Sequence, residues 1–172
     1  GMAKANKLPD DHIRSERVPQ VDSAYVTQYL ENESEYRHQL DLVKKFYRDR
    51  DYRMAWFSNG GPIPQAGKLI EAIENANKHG LNPKDYGIKN LRQMLDNYRS
   101  LPASDPNKEQ KKQELDLALT ASYFNYASDF YKGAVNPHSA EAIEWEVKKN
   151  RVKLNKALEV VLKERKNNPY YE

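Results

Sequence analysis

Residues 108–132 read KEQKKQELDLALTASYFNYASDFYK, and the reading of this stretch decides the fold. Leu115, Leu119, Tyr123, Tyr126 and Phe130 recur every three or four positions, the spacing that puts side chains on one face of an α-helix. Phe124, Ala127 and Tyr131 flank that face, so a wide apolar stripe is expected to meet a core. Gly133 stops the helix and Pro137 prevents its resumption. A helix of this length needs shorter ones to cover it.

The flanking sequence supplies them. Upstream, a short helix is expected from Ser23 to about Glu31, with Asp22 or Ser23 as its N-cap. A longer one from about Ser34 to Arg50 carries Tyr36, Leu40, Val43, Phe46 and Tyr47. Met54-Ala55-Trp56-Phe57 is expected as an extended or turn-like segment pinned to the core, followed by the breaker Ser58-Asn59-Gly60-Gly61-Pro62. The next helix has Pro64 near its first position, buries Leu69, Ile70, Ile73 and Ala76, and ends at His79-Gly80. A turn over 82–86 leads to a helix bearing Ile88, Leu91, Leu95 and Tyr98, and residues 99–108 form a loop. Downstream, a final helix from about Val147 to Lys166 carries Leu154, Leu158, Val161 and Leu162. No segment offers the alternation of a strand. The expected fold is all-α, a single compact domain of about five or six helices over residues 22–172. An extended or flexible leader over residues 1–21, with Pro9 and Pro19, precedes it, and Gly1 before Met2 reads as a residual tag residue.

Composition narrows the function. The 172 residues are about one domain's worth, and no apolar run approaches the roughly 18 to 20 residues of a membrane-spanning helix. Absence of cysteine removes disulfides, thiolate metal sites and cysteine nucleophiles together. The net charge of +3 is unevenly spread: eight basic residues between Lys148 and Lys166 face only Glu159 and Glu164, a segment of +6. Such a helix is either a solvated face or a docking surface for anionic lipid, nucleic acid or an acidic protein. The near-balanced total argues against nucleic acid as the partner.

Catalytic and metal signatures are sparse. Glu35-x-x-His38 has di-iron helix spacing, but the other histidines, His12, His79 and His138, lack a glutamate three residues before them. An exposed pair on a helix is the simpler account, and His79 reads as a last-turn residue facing the helix dipole. Glu33-Ser34 resembles the catalytic pair of lytic transglycosylases, yet it lies in the acidic run Glu31-Asn32-Glu33-Ser34-Glu35 rather than in an apolar pocket that would raise a general acid's pKa. A muramidase using Glu33 or Glu35 is therefore the weakest reading. Gly60-Gly61 is followed by proline, not by a phosphate-loop lysine, and no nucleophile elbow is present. No cofactor and no metal are expected.

Three stretches read together carry a resemblance. They are residues 46–57 (FYRDRDYRMAWF), 69–86 (LIEAIENANKHGLNPKDY) and 114–137 (ELDLALTASYFNYASDFYKGAVNP). In the patterns FYxxRxYxxAWF, LxxAIxxAxxHGLxPxDY and ELDxxLTxxxxxYxxDxxxGxVxP they resemble the helical scaffold domain on the N-terminal side of large bacterial murein L,D-transpeptidases, over about residues 40–140. The resemblance implies a periplasmic or envelope protein whose separate catalytic domain, with a cysteine in a Ser-His-Gly-Cys type motif, cross-links peptidoglycan stem peptides. This sequence has neither that cysteine nor that motif, so no catalytic residue carries over. The implied role is non-catalytic: positioning the catalytic and peptidoglycan-binding domains of a parent chain, with peptidoglycan itself a further candidate partner. An independent binding module built on the basic helix is the alternative. Candidate partner or glycan contacts are Arg48 and Asp129, polar residues inside the motif stretches, with Trp145, Lys148 and Arg151 around the start of the basic segment.

Overall fold

Asp22 starts the first helix: its carboxylate accepts from the Ala24 amide at 2.9 Å, and α1 follows over Ser23–Asn32. The computed structural model describes residues 18–132 and 154–163. Val26 and Leu30, one turn apart, are the buried residues of α1.

The second helix, α2, covers Leu40–Asp49, preceded by a single 3₁₀ turn at Arg37–Gln39. It begins later than its periodicity predicts because tertiary bonds capture the first turn. Asn125 donates to the Glu35 carbonyl at 3.2 Å, and the Ser122 hydroxyl donates to the buried Tyr36 hydroxyl oxygen at 3.3 Å. Local propensity yields to these contacts. The end of α2 is a Schellman motif: the Tyr52 amide donates to the Tyr47 carbonyl at 2.8 Å and the Asp51 amide to that of Arg48 at 3.2 Å. Asp51, at φ 54°, fills the left-handed position that glycine usually takes. The reversed chain then lies beside the incoming one. Val21 donates to the Tyr52 carbonyl at 2.7 Å and Met54 to that of Pro19 at 2.8 Å, so residues 19–21 run extended along 52–54. Residues 1–17 of the expected leader lie outside the described residues.

Met54, Ala55, Trp56 and Phe57 are all buried, as their apolar run predicts. The breaker after them folds into a small antiparallel hairpin, β1 (Phe57–Ser58) and β2 (Gly61–Pro62), with Phe57 opposite Pro62. This is the one sheet among the described residues and amends the strand-free expectation; the Asn59-Gly60 turn closes it. Helix α3 runs Pro64–Glu74 with Leu69, Ile70 and Ile73 buried, and a 3₁₀ turn over Ala76–His79 carries the chain to Gly80 at φ 78°. Asn82 caps a further 3₁₀ turn, Pro83–Tyr86, and α4 spans Ile88–Ser100 with Leu91, Leu95 and Tyr98 inward.

Helix α5, Lys108–Lys132, lies in the middle and touches all four preceding helices. Its buried surface differs from the predicted stripe. Leu115, Leu117, Ala118, Leu119 and Ala121 are all buried, because surrounding helices leave no solvent side there. Farther on, Phe124 and Ala127 point inward, Tyr123 and Tyr126 are half-buried, and Phe130 is 42% exposed. A sixth helix, α6, over residues 154–163, buries Leu154 and Leu158 in the same core. Val147 and the rest of the expected last helix lie outside the described residues. Among the described residues six α-helices and one hairpin thus make a mostly helical single domain, and no described helix is long and apolar enough to cross a membrane.

Candidate functional site

The centre of α5 holds a carboxylate that sequence reasoning left unassigned. Asp116 has no exposed surface. Its Oδ1 accepts from the Trp56 amide at 2.7 Å and the Ala55 amide at 3.0 Å, and its Oδ2 accepts from the Tyr47 hydroxyl at 2.5 Å. One turn along, the Thr120 hydroxyl oxygen lies 2.8 Å from the Tyr47 hydroxyl and accepts from the Trp56 indole N–H at 2.9 Å. Helix periodicity brings Asp116 and Thr120 to one face, where the extended run 54–57 crosses. Burial lifts the Asp116 carboxyl above its ordinary range; donors from Tyr47, Trp56 and Ala55, then the Arg50 charge, pull it back without cancelling the rise. Burial, followed by the Asp116 charge, holds the Tyr47 hydroxyl well above its usual value, so it stays protonated and donates.

Such a carboxylate is spent on structure. Both of its oxygens are occupied by donors from its own chain, and solvent does not reach it. Its signal in the sequence was an aspartate and a threonine four residues apart within the otherwise apolar run LDLALT, residues 115–120. Such polar residues on a buried helix face need partners.

Arg50 is the second residue of consequence. It donates to Glu159 on α6 at 2.9 Å, to the Arg53 carbonyl at 2.9 Å and to the Met54 carbonyl at 3.1 Å, and its guanidinium lies 5.1 Å from the Phe46 ring centre. It ties α6 to the end of α2. The arginine in the pattern FYxxRxYxxAWF is Arg50, and it, rather than Arg48, makes these contacts. Arg48 is exposed, with no ion pair among the described residues. Asp129 is half-buried and accepts from the Tyr86 hydroxyl at 2.9 Å, so it pairs within the domain. The structure does not bring Arg48 and Asp129 together into one hydrogen-bonded group. Trp145, Lys148 and Arg151 lie outside the described residues.

Two of the concave surfaces among the described residues involve α5 or α6 together with one or both of the first two motif stretches. One, of about 400 Å³, is walled by Trp56, Leu69, Tyr123, Tyr126 and Phe130, with His79 packed edge-on against Phe130 at 5.2 Å. His79 therefore adds a ring contact to its place in the turn before Gly80. The other, of about 710 Å³, lies between α2 and α6 and is rimmed by charge. Glu33 and Glu35 sit in neither: both are exposed, and Glu33 is the C-cap of α1 rather than part of a helix start. Glu35 and His38 are likewise both exposed, and no group of three metal-ligating side chains gathers among the described residues.

The hydrogen bonds join the three motif stretches to one another. Tyr47, Ala55 and Trp56 of the first meet Asp116 and Thr120 of the third, and Tyr86 of the second meets Asp129 of the third. A family model described as a scaffold domain matches residues 41–171, which takes in all three. No curated protein and no solved structure gives a match. With most of its length under that match, and with the motif residues bonded to each other at the core, the chain belongs to the scaffold domain family.

Proposed function

We propose that this chain is the non-catalytic scaffold module of a peptidoglycan-crosslinking L,D-transpeptidase of the cell envelope, holding the catalytic and wall-binding domains of its parent in place. One observation carries the reading. Tyr47, Asp116, Thr120, Tyr86 and Asp129, polar residues of the motif stretches that in an enzyme could have formed a reactive group, are consumed in bonds that lock α5 to α2, to the 54–57 segment and to the turn at Tyr86. The family match to a scaffold domain supports the non-catalytic role, and the three motif patterns support the cell-wall setting.

Turnover tests it. Purified protein incubated with insoluble peptidoglycan, followed by chromatography and mass spectrometry of the muropeptides, is expected to leave the profile unchanged. A new cross-linked dimer, or a soluble glycan fragment that disappears with Glu33→Gln or Glu35→Gln, would overturn the assignment.

A further inference from the structure

The groove between α2 and α6 has a floor and a rim of different character. Leu42 and Val160 line it, and Val160 is 68% exposed, the most exposed large apolar side chain among the described residues. Five cations and three carboxylates surround them. Two of those carboxylates are already paired, Asp49 with Lys45 at 2.5 Å and Glu159 with Arg50 at 2.9 Å. What remains is Arg53, Lys156 and Lys163, all exposed and without an acidic partner among the described residues, against Asp41. Asn155, also in the lining, has a buried amide nitrogen with no acceptor. In sequence, Lys148, Lys149, Arg151 and Lys153 precede α6, and Arg165 and Lys166 follow it.

We propose that this groove is a docking surface for an acidic, amphipathic protein segment, whose apolar side chain covers Val160 while its carboxylates meet Arg53, Lys156 and Lys163. The surplus of cations without carboxylate partners calls for anionic acceptors. An apolar residue set inside a concave, cation-rimmed groove fits a peptide better than its rivals. A bilayer meets convex or flat faces, and a nucleic-acid backbone has no use for Val160. The inference goes beyond the scaffold role: peptide binding and muropeptide turnover are separate assays, and failure of one leaves the other standing.

The test is fluorescence anisotropy with a short fluorescein-labelled peptide of repeated Glu-Glu-Leu-Leu units. Lys-Lys-Leu-Leu repeats, phosphatidylserine vesicles and duplex DNA are the comparison probes. The acidic peptide is expected to bind, more weakly as salt rises, and to lose at least about tenfold in affinity in Lys156→Glu/Lys163→Glu and in Val160→Ser. All three positions are exposed, so an unchanged circular dichroism spectrum and melting curve show that the fold is kept. Failure to bind the acidic peptide, equal binding of the basic one, or indifference to both variants overturns the proposal. Tighter binding of vesicles or DNA, lost in the same variants, reassigns the groove to that partner and overturns it as well.

Discussion

Replacing Asp116 with alanine is expected to remove about 3 to 5 kcal/mol of folding stability, measured by urea unfolding. The change orphans the buried amides of Ala55 and Trp56, each at a cost of about 1 to 3 kcal/mol, and strips the Tyr47 hydroxyl of its carboxylate acceptor. Relief of a buried charge offsets part of that loss. At this chain length the melting temperature falls by roughly 2 to 4 °C for each kcal/mol, so a drop on the order of 10 °C is predicted. Asp116→Asn keeps the shape and one acceptor oxygen and loses less. It also isolates the ionisation. Because the folded carboxyl sits above its ordinary range, the folded chain binds that proton more tightly than the unfolded one. The stability contributed by the protonated form is present at low pH and is lost as pH rises from about 4 through the folded value. The advantage of the wild type over Asp116→Asn is therefore expected to be larger at mildly acid pH than at neutrality. An advantage that grows toward neutral pH would show the donors outweighing burial.

Trp56→Ala carries the second large effect, about 3 to 5 kcal/mol. Trp56 is among the largest fully buried side chains, and its removal opens a void beneath the aromatic wall formed with Tyr123 and Tyr126. The Thr120 hydroxyl also loses the indole donor. Trp56→Phe separates the two terms: it keeps most of the volume and gives up the N–H, so a loss of about 1 to 2 kcal/mol is expected. Equal destabilisation by Phe and Ala would mean that the hydrogen bond, not the packing, dominates.

The helices were legible where periodicity and capping agreed. Pro64 at a first turn and the apolar spacing of Leu91, Leu95 and Tyr98 each located an element, as did the bounds of α5. Helix α3, by contrast, stops at Glu74, short of the expected His79-Gly80, and only a 3₁₀ turn reaches Gly80. Legibility failed where tertiary bonds overrode local preference. The start of α2 is delayed by Asn125 and Ser122, residues some 90 positions away in the chain, and no local pattern can show them. Its end is closed by Asp51 in a glycine's place, so the usual stop signal is missing. Phe130 was read as core because it continues the spacing of Leu115 and Leu119, but the helices that surround the middle of α5 do not enclose its last turns. The site was less legible than the fold. Asp116 stood within a motif stretch, yet its partners come from a segment about 60 residues earlier, and only the folded chain makes them neighbours. Arg48 and Arg50 differ by two positions, and the turn at Asp51 decides which of them reaches α6.

The claim that motif residues are spent on architecture is tested most directly by a double-mutant cycle between Tyr47→Phe and Asp116→Ala in urea unfolding. Because the two groups share one buried hydrogen bond to a charge, an interaction energy of about 1 to 3 kcal/mol is predicted, with the double variant less destabilised than the two singles added together. Additivity within about 0.3 kcal/mol, or an Asp116→Ala variant as stable as the wild type, would contradict the account.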